Sequence, residues 1–415
     1  HRHTIKSIRS VCPDAFILLD IPGVKPRTAN TKDIFINEEQ EVIFGLQDQA
    51  DSRLNIPLTK PLPSWEAEIK TFSVNDGQFI FDVIDFGLGY VIGRSHSEFT
   101  LLPQKGINLP GSIYDESQQF DVYRSFIKNI DGMDINGLGL SFVQTGEIIN
   151  EVRRAVPHLV LVSKIENSEG LRNCEDIISA SDAIMIDRGD LAAEIGLSDL
   201  YNAIELISAN TKAAGKPLIM ATENLESMIS RQTPSKSEVM SIAHSISIGA
   251  DCIMLSEETA TASNGSNIVN WLAQYLAGTK PFKRPNAKRL PNKKFPEIWQ
   301  LVEQMDDMPV LLMTKSGYAL FDYIAMKPNA RVTIVANNKK VIETSKLLSN
   351  EVTIIQTPVN DNTPIETIWE VVEKHKDIFF NEADKIAAIY VSKYVKGARA
   401  NSITIFDKND FFTQN

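Results

Sequence analysis

Three cysteines in 415 residues, Cys12, Cys174 and Cys252, lie far apart and in odd number, without the paired spacing of a zinc site or a disulfide framework. That usage predicts a protein of the reducing cytoplasm. Long apolar runs are also missing. None approaches the ~20 residues needed to span a bilayer, and no secretory leader is visible, so neither a membrane nor export is expected. Positive charge is in deficit, with 42 Lys and Arg against 53 Asp and Glu for a formal charge of −11. Nucleic acid is therefore excluded as a partner, because phosphate backbones are held by basic stripes. Internal repeats and low-complexity tracts are absent as well.

What is present is an ordinary globular composition, 43% apolar, in a chain long enough for two or three domains. Several apolar runs end in charge. In His158-Leu-Val-Leu-Val-Ser-Lys-Ile-Glu-Asn167, Lys164 and Glu166 stand two residues apart. Strand side chains alternate with period two, so this ammonium and carboxylate share one face at the carboxyl end of the run. Barrel enzymes keep their chemistry at that end. Ala183-Ile-Met-Ile-Asp-Arg-Gly-Asp190, Pro217-Leu-Ile-Met-Ala-Thr222 and Asp251-Cys-Ile-Met-Leu-Ser256 end in the same manner. Helix-like sequence separates them, the βα alternation of a parallel sheet.

Before this region, the strand candidate Phe16–Asp20 runs into a proline-rich turn, Ile21-Pro-Gly-Val-Lys-Pro-Arg-Thr28. Residues 31–111 then show short alternating segments such as Gln78–Val83, which predict a small all-β insertion. Gly87, Gly89 and Gly93 nearly spell a dinucleotide fingerprint, but the last spacing is too long and no helix follows, so hairpin glycines are expected. The βα pattern resumes at 112 and continues to 279. A basic, proline-punctuated linker is expected over 280–294. Residues 295–415 predict a second α/β unit, with strands at 309–313, 331–335 and 385–391.

Taken in order, Ser163-Lys-Ile-Glu-Asn167, Arg188-Gly-Asp-Leu191, Ala221-Thr222 with Leu225-Glu-Ser-Met228, and Ala250–Ser256 with Glu258-Thr-Ala260 resemble the pyruvate kinase family. The resemblance implies an α/β fold: a TIM (β/α)8 barrel of residues 1–30 and 112–279, interrupted by a small β-barrel lid at 31–111 and followed by an α/β effector domain. Two early barrel strands would precede His1, and an amino-terminal piece is expected there. The implied activity is glycolytic phosphoryl transfer from phosphoenolpyruvate to ADP, giving pyruvate and ATP, in a cytoplasmic homotetramer.

The resemblance also implies roles for individual residues. Glu166 and Asp190 match the carboxylates that bind Mg²⁺ or Mn²⁺, and Lys164 matches the phosphoryl and enolate electrophile. Thr222 matches the hydroxyl on the proton-transfer side. The helix opened by Arg188, Gly189 and Asp190 would offer backbone N–H groups to the substrate carboxylate. Arg27 and Lys105 match residues aimed at nucleotide phosphates. Lys25, with Asp20, stands where other members bind K⁺, so K⁺ independence is expected. In the terminal unit, Thr314, Lys315, Ser316 and Gly317 resemble a loop that takes an effector phosphate.

The pattern breaks in places. Asp187, Glu223 and Glu257 put carboxylates where the family has alanine, glutamine and glycine, Ser241 replaces an aspartate, and Gln144 replaces a basic residue. A like charge at 4 Å costs about 4 kcal/mol at an effective dielectric of 20, so any of the three facing the substrate phosphate would weaken its binding. Two alternatives therefore stay open: a nucleotide-free Mg²⁺-dependent lyase or aldolase on pyruvate-like oxoacids, and a non-catalytic paralogue that senses a metabolite.

Overall fold

The computed structural model describes residues 1–46, 52–64, 69–87, 89–279, 298–304, 308–326, 331–348, 352–359, 363–381, 383–392 and 400–412. The linker expected at 280–294 lies outside them. The chain divides into two compact units, 1–210 with 219–281, and 211–218 with 282–415. Among the described residues no helix is long and apolar enough to cross a membrane.

The first unit is built on six strands hydrogen-bonded in chain order: β1 (Leu18–Ile21), β2 (Gly137–Leu140), β3 (Val160–Ile165), β4 (Ala183–Asp187), β5 (Leu218–Ala221) and β6 (Cys252–Ile253). Their pairing is parallel. Every residue of β3 and β4 is buried, as a sheet covered on both faces requires. Helices fill the crossovers. One of them, Lys236–Ser247, begins with a capping box in which Ser235 and Glu238 satisfy each other's backbone N–H groups.

Register explains which side chains meet. Asp20 pairs with Gly139, Gly139 with Val162, and Lys164 with Met185. Paired residues on parallel neighbours point the same way, so Lys164 and Met185 share a face, and period two then brings Glu166 and Asp187 to it. Strand β2 reads Gly-Leu-Gly-Leu, poor β-forming sequence, and was not among the strands expected. Its glycines are there for space: a Cβ on Gly137 would lie 2.7 Å from Val160 O, and one on Gly139 2.9 Å from Asp20 Oδ1.

Residues 34–108 form the β insertion. Its six-stranded sheet runs Leu54–Pro57, Glu41–Gly45, Tyr90–Ser95, Phe79–Gly87, Thr71–Val74, Ile107–Asn108, and a separate pair joins Ile34–Ile36 to Phe99–Leu101. Phe44, Phe72 and Phe81 pack edge-on and stacked at the centre of its core. Gly87 pairs with Tyr90 at the end of an antiparallel hairpin, and Gly93 leaves room for the Phe72 ring. These glycines shape a hairpin rather than a nucleotide loop.

The second unit holds a five-stranded sheet in the order Val352–Gln356, Val332–Ala336, Val310–Met313, Lys385–Tyr390, Ser402–Asp407, parallel except for the last strand. The two edge strands were not anticipated from the sequence. Ser402–Asp407 pairs antiparallel with Lys385–Tyr390 at the edge.

Candidate active site

The carboxyl ends of β1 to β5 converge on a charged cluster. Lys164 Nζ lies 2.7 Å from Glu166 Oε1, 3.4 Å from Asp20 Oδ2, 3.6 Å from Asp187 Oδ2 and 3.4 Å from Ser141 Oγ. Burial alone would depress this ammonium, but Glu166, Asp20 and Asp187 outweigh it and raise its pKa well above the usual lysine value. Glu166 is fully buried. Its Oε2 accepts the backbone N–H of Phe142 at 2.6 Å, and burial pushes its pKa up to about 8 against the pull of Lys164.

Asp190 sits in the first turn of the Arg188–Ile195 helix and forms an ion pair with Lys25. Lys25 also reaches Asp76 in the β insertion at 3.1 Å, and its ammonium lies over the Phe142 ring. Burial opposes the charge on both Lys25 and Asp190, yet their attraction prevails, holding the carboxyl below and the ammonium above their ordinary ranges. The insertion contributes again through Asn108, whose Nδ2 donates to Asp190 Oδ1 at 3.4 Å and to Glu194 Oε1 at 3.3 Å. Burial lifts Glu194 to about 8.

Thr222 ends the strand run at β5 with a φ of +59°, a genuine outlier for a β-branched residue. Such strain costs on the order of 1–3 kcal/mol and gathers at functional sites. Its Oγ1 shares its proton between Ala221 O at 2.8 Å and Asp187 Oδ1 at 3.1 Å, and accepts from Gly189 N at 3.2 Å. The Arg188 guanidinium turns away to neutral partners: the carbonyls of Ala221 and Thr222, Asn224 Oδ1 and Ser241 Oγ. Burial lowers its pKa. Of Arg188, then, only the backbone at the helix start remains for a ligand.

The structure decides how the three unusual carboxylates face. Glu223 and Glu257 are exposed, whereas Asp187 is 8% exposed and faces inward. Glu166, Asp187 and Asp190 each bring an oxygen within 4.8 Å of the others. Gln144 carries no charge to the site; its amide exchanges hydrogen bonds with Tyr114 N and O, at 2.9 and 2.8 Å.

Other expected residues lie elsewhere or are paired differently. Asp20 meets Lys164 and Ser141 rather than Lys25, so the two residues proposed to replace K⁺ together are held by different partners. Arg27 and Lys105 come side by side: Arg27 bridges to Gly106, Thr28 N donates to Lys105 O, and the Arg27 guanidinium donates to Gln104 O at 3.0 Å. In the second unit Thr314 is buried and its Oγ1 accepts Gly317 N at 3.0 Å, with Lys315 and Ser316 exposed. Sequence reading missed Ser141, Asp76, Asn108 and Glu194. Ser141, which precedes a loop residue of φ +59°, Phe142, stood at the end of an unrecognised strand.

Three hard carboxylate oxygens without histidine or cysteine suit Mg²⁺ or Mn²⁺. Fold and site together define an α/β-barrel protein with a β insertion and a carboxylate–lysine centre. The family description "Pyruvate kinase, barrel domain" matches residues 1–269. The chain belongs to the pyruvate kinase family.

Among relatives, pyruvate kinase of Dictyostelium discoideum is 30% identical over 297 residues, 66% of this chain and 57% of that protein. Pyruvate kinase 2 of Trypanosoma brucei brucei is 36% identical over 296 residues, 66% and 58%. The cytosolic isozyme of Nicotiana tabacum is 32% identical over 293 residues, 66% and 57%. The matches thus span less than three-fifths of these relatives. The crystal structure of pyruvate kinase from Pyrobaculum aerophilum covers 97% of this chain, and 89% of that one, with a TM-score of 0.76 and 21% identity, a likeness of fold.

Proposed function

We propose that the chain is a phosphotransferase of the pyruvate kinase type, taking the phosphoryl group of phosphoenolpyruvate to ADP. The observation that carries the reading is the convergence of Lys164, Glu166, Asp190 and Thr222 at the carboxyl ends of adjacent parallel strands. Glu166 and Asp190 would hold the Mg²⁺ or Mn²⁺, which supplies fixed positive charge for phosphoryl transfer. Lys164, kept protonated by its carboxylate neighbours, adds charge at the enolate oxygen. Thr222 lines the side from which the enolate carbon takes its proton. The start of the Arg188–Ile195 helix orients the substrate carboxylate, and the adjacent Arg27 and Lys105 serve the nucleotide phosphates.

Lys25 puts a monovalent charge against Asp190, which supports turnover without K⁺. A homotetramer in the cytosol, with a phosphate site at the Thr314–Gly317 loop, completes the reading. Cysteine usage and the tobacco relative's name favour that compartment.

Asp187 favours a second reading. Its carboxylate faces the centre, where it opposes a highly charged phosphate and suits a metal-dependent lyase or aldolase on oxoacids. The test supplies phosphoenolpyruvate, ADP and Mg²⁺ without K⁺ and follows pyruvate and ATP together. Equal formation of both, lost in Lys164→Met, establishes the kinase. Neither product, with cleavage of a 2-oxoacid supplied with Mg²⁺ and no nucleotide, establishes the lyase.

A further inference from the structure

Asp187 is placed by the backbone, not by chance of rotamer. It ends β4 on the face that carries Lys164 and Glu166, and as the N-cap residue of the Arg188–Ile195 helix it stands three residues before Asp190. Three carboxylates are thereby set against two ammonium groups, those of Lys164 and Lys25. Their oxygens lie within 4.8 Å of one another, close enough for one cation to take an oxygen from each. Thr222 donates to Asp187 Oδ1, Lys164 stands 3.6 Å from Oδ2, and the Asp190 backbone N–H is a further donor, which still leaves a lone pair of the carboxylate for a cation.

We infer that Asp187 supplies a third carboxylate oxygen to the divalent cation of Glu166 and Asp190. The inference rests on the metal site of the proposed function and extends it. Where two carboxylates leave most coordination positions to water and substrate, a third takes one of them for the protein.

Mn²⁺ binding to the full chain without substrate tests this, by electron paramagnetic resonance for affinity and water-proton relaxation for the number of bound waters. Asp187→Asn and Asp187→Ala are expected to weaken Mn²⁺ about tenfold or more, and to add one bound water. Affinity within about twofold of the unmodified protein, from variants whose circular dichroism is unchanged, overturns the inference. So does weaker binding with the same water count, which makes Asp187 a positioning residue for Thr222 and Lys164. If Glu166→Gln and Asp190→Asn also leave Mn²⁺ binding unchanged, the metal site itself is wrong and the proposed function falls with it.

Discussion

Lys25 joins two parts of the chain: its ammonium pairs with Asp190 in the barrel and lies 3.1 Å from Asp76 in the β insertion. Asp76 is largely exposed, so that link alone is worth little, about 0.2–1 kcal/mol. The pair with Asp190 is buried, and removing one partner of such a pair costs about 3–5 kcal/mol. Lys25→Met should destabilise the protein by that order in urea titrations. Lys25→Glu should lower turnover and let K⁺ restore part of it. Strong activation of the unmodified protein by K⁺ would defeat the argument.

Thr222 holds Asp187 and Gly189 through one hydroxyl. Thr222→Ser keeps both bonds, and its turnover should stay within about threefold; Thr222→Val takes the partner from Gly189 N–H and one of several contacts from Asp187, at roughly 1–3 kcal/mol in all. If Thr222 acts at the proton-transfer step, valine lowers kcat while KM for phosphoenolpyruvate stays nearly constant. A change confined to KM would assign the hydroxyl to binding.

Glu194 has a pKa of about 8 in the folded chain against 4.5 for an ordinary glutamate. Between those values the native state binds a proton that the unfolded chain has released, so this group makes stability fall as pH rises from about 5 to 8. Glu194→Gln removes the effect. Denaturant midpoints measured across that window should slope less in the variant than in the unmodified protein; parallel slopes would mean that Glu194 is already ionised in the folded state.

Gly23 lies against the loop that supports Glu166. A Cβ there would stand 2.8 Å from Phe142 Cβ and 2.9 Å from Ser141 O. Gly23→Ala should cost about 1–3 kcal/mol as an overpacking change and pull Phe142 N–H from Glu166. Mn²⁺ affinity should drop along with stability. Stability loss with unchanged affinity would show that the loop yields without moving the carboxylate.

Much of the first unit could be read from its sequence, because fully buried parallel strands appear as continuous apolar runs and period two aligns Lys164 with Glu166. The same arithmetic, applied across strands, would have turned Asp187 inward, but it needs the Lys164–Met185 register, which no single strand contains. Gly137–Leu140 escaped because glycine carries no strand signal. In the second unit Val352–Gln356 and Ser402–Asp407 escaped because edge strands are half-solvated and carry weaker apolar patterns. Asp76 and Asn108 reach the centre from the β insertion, a closeness made by the fold and not by spacing.

The bare Cα of Gly139 has a consequence for how this protein can vary. Its missing methyl is the space that Asp20 Oδ1 occupies while Oδ2 faces Lys164. A larger residue at 139 displaces that carboxylate, and a smaller residue at 20 removes the need for the gap. The two positions, on neighbouring strands and over a hundred residues apart, therefore vary in a fixed order: position 20 can shrink by itself, whereas position 139 can grow only once it has.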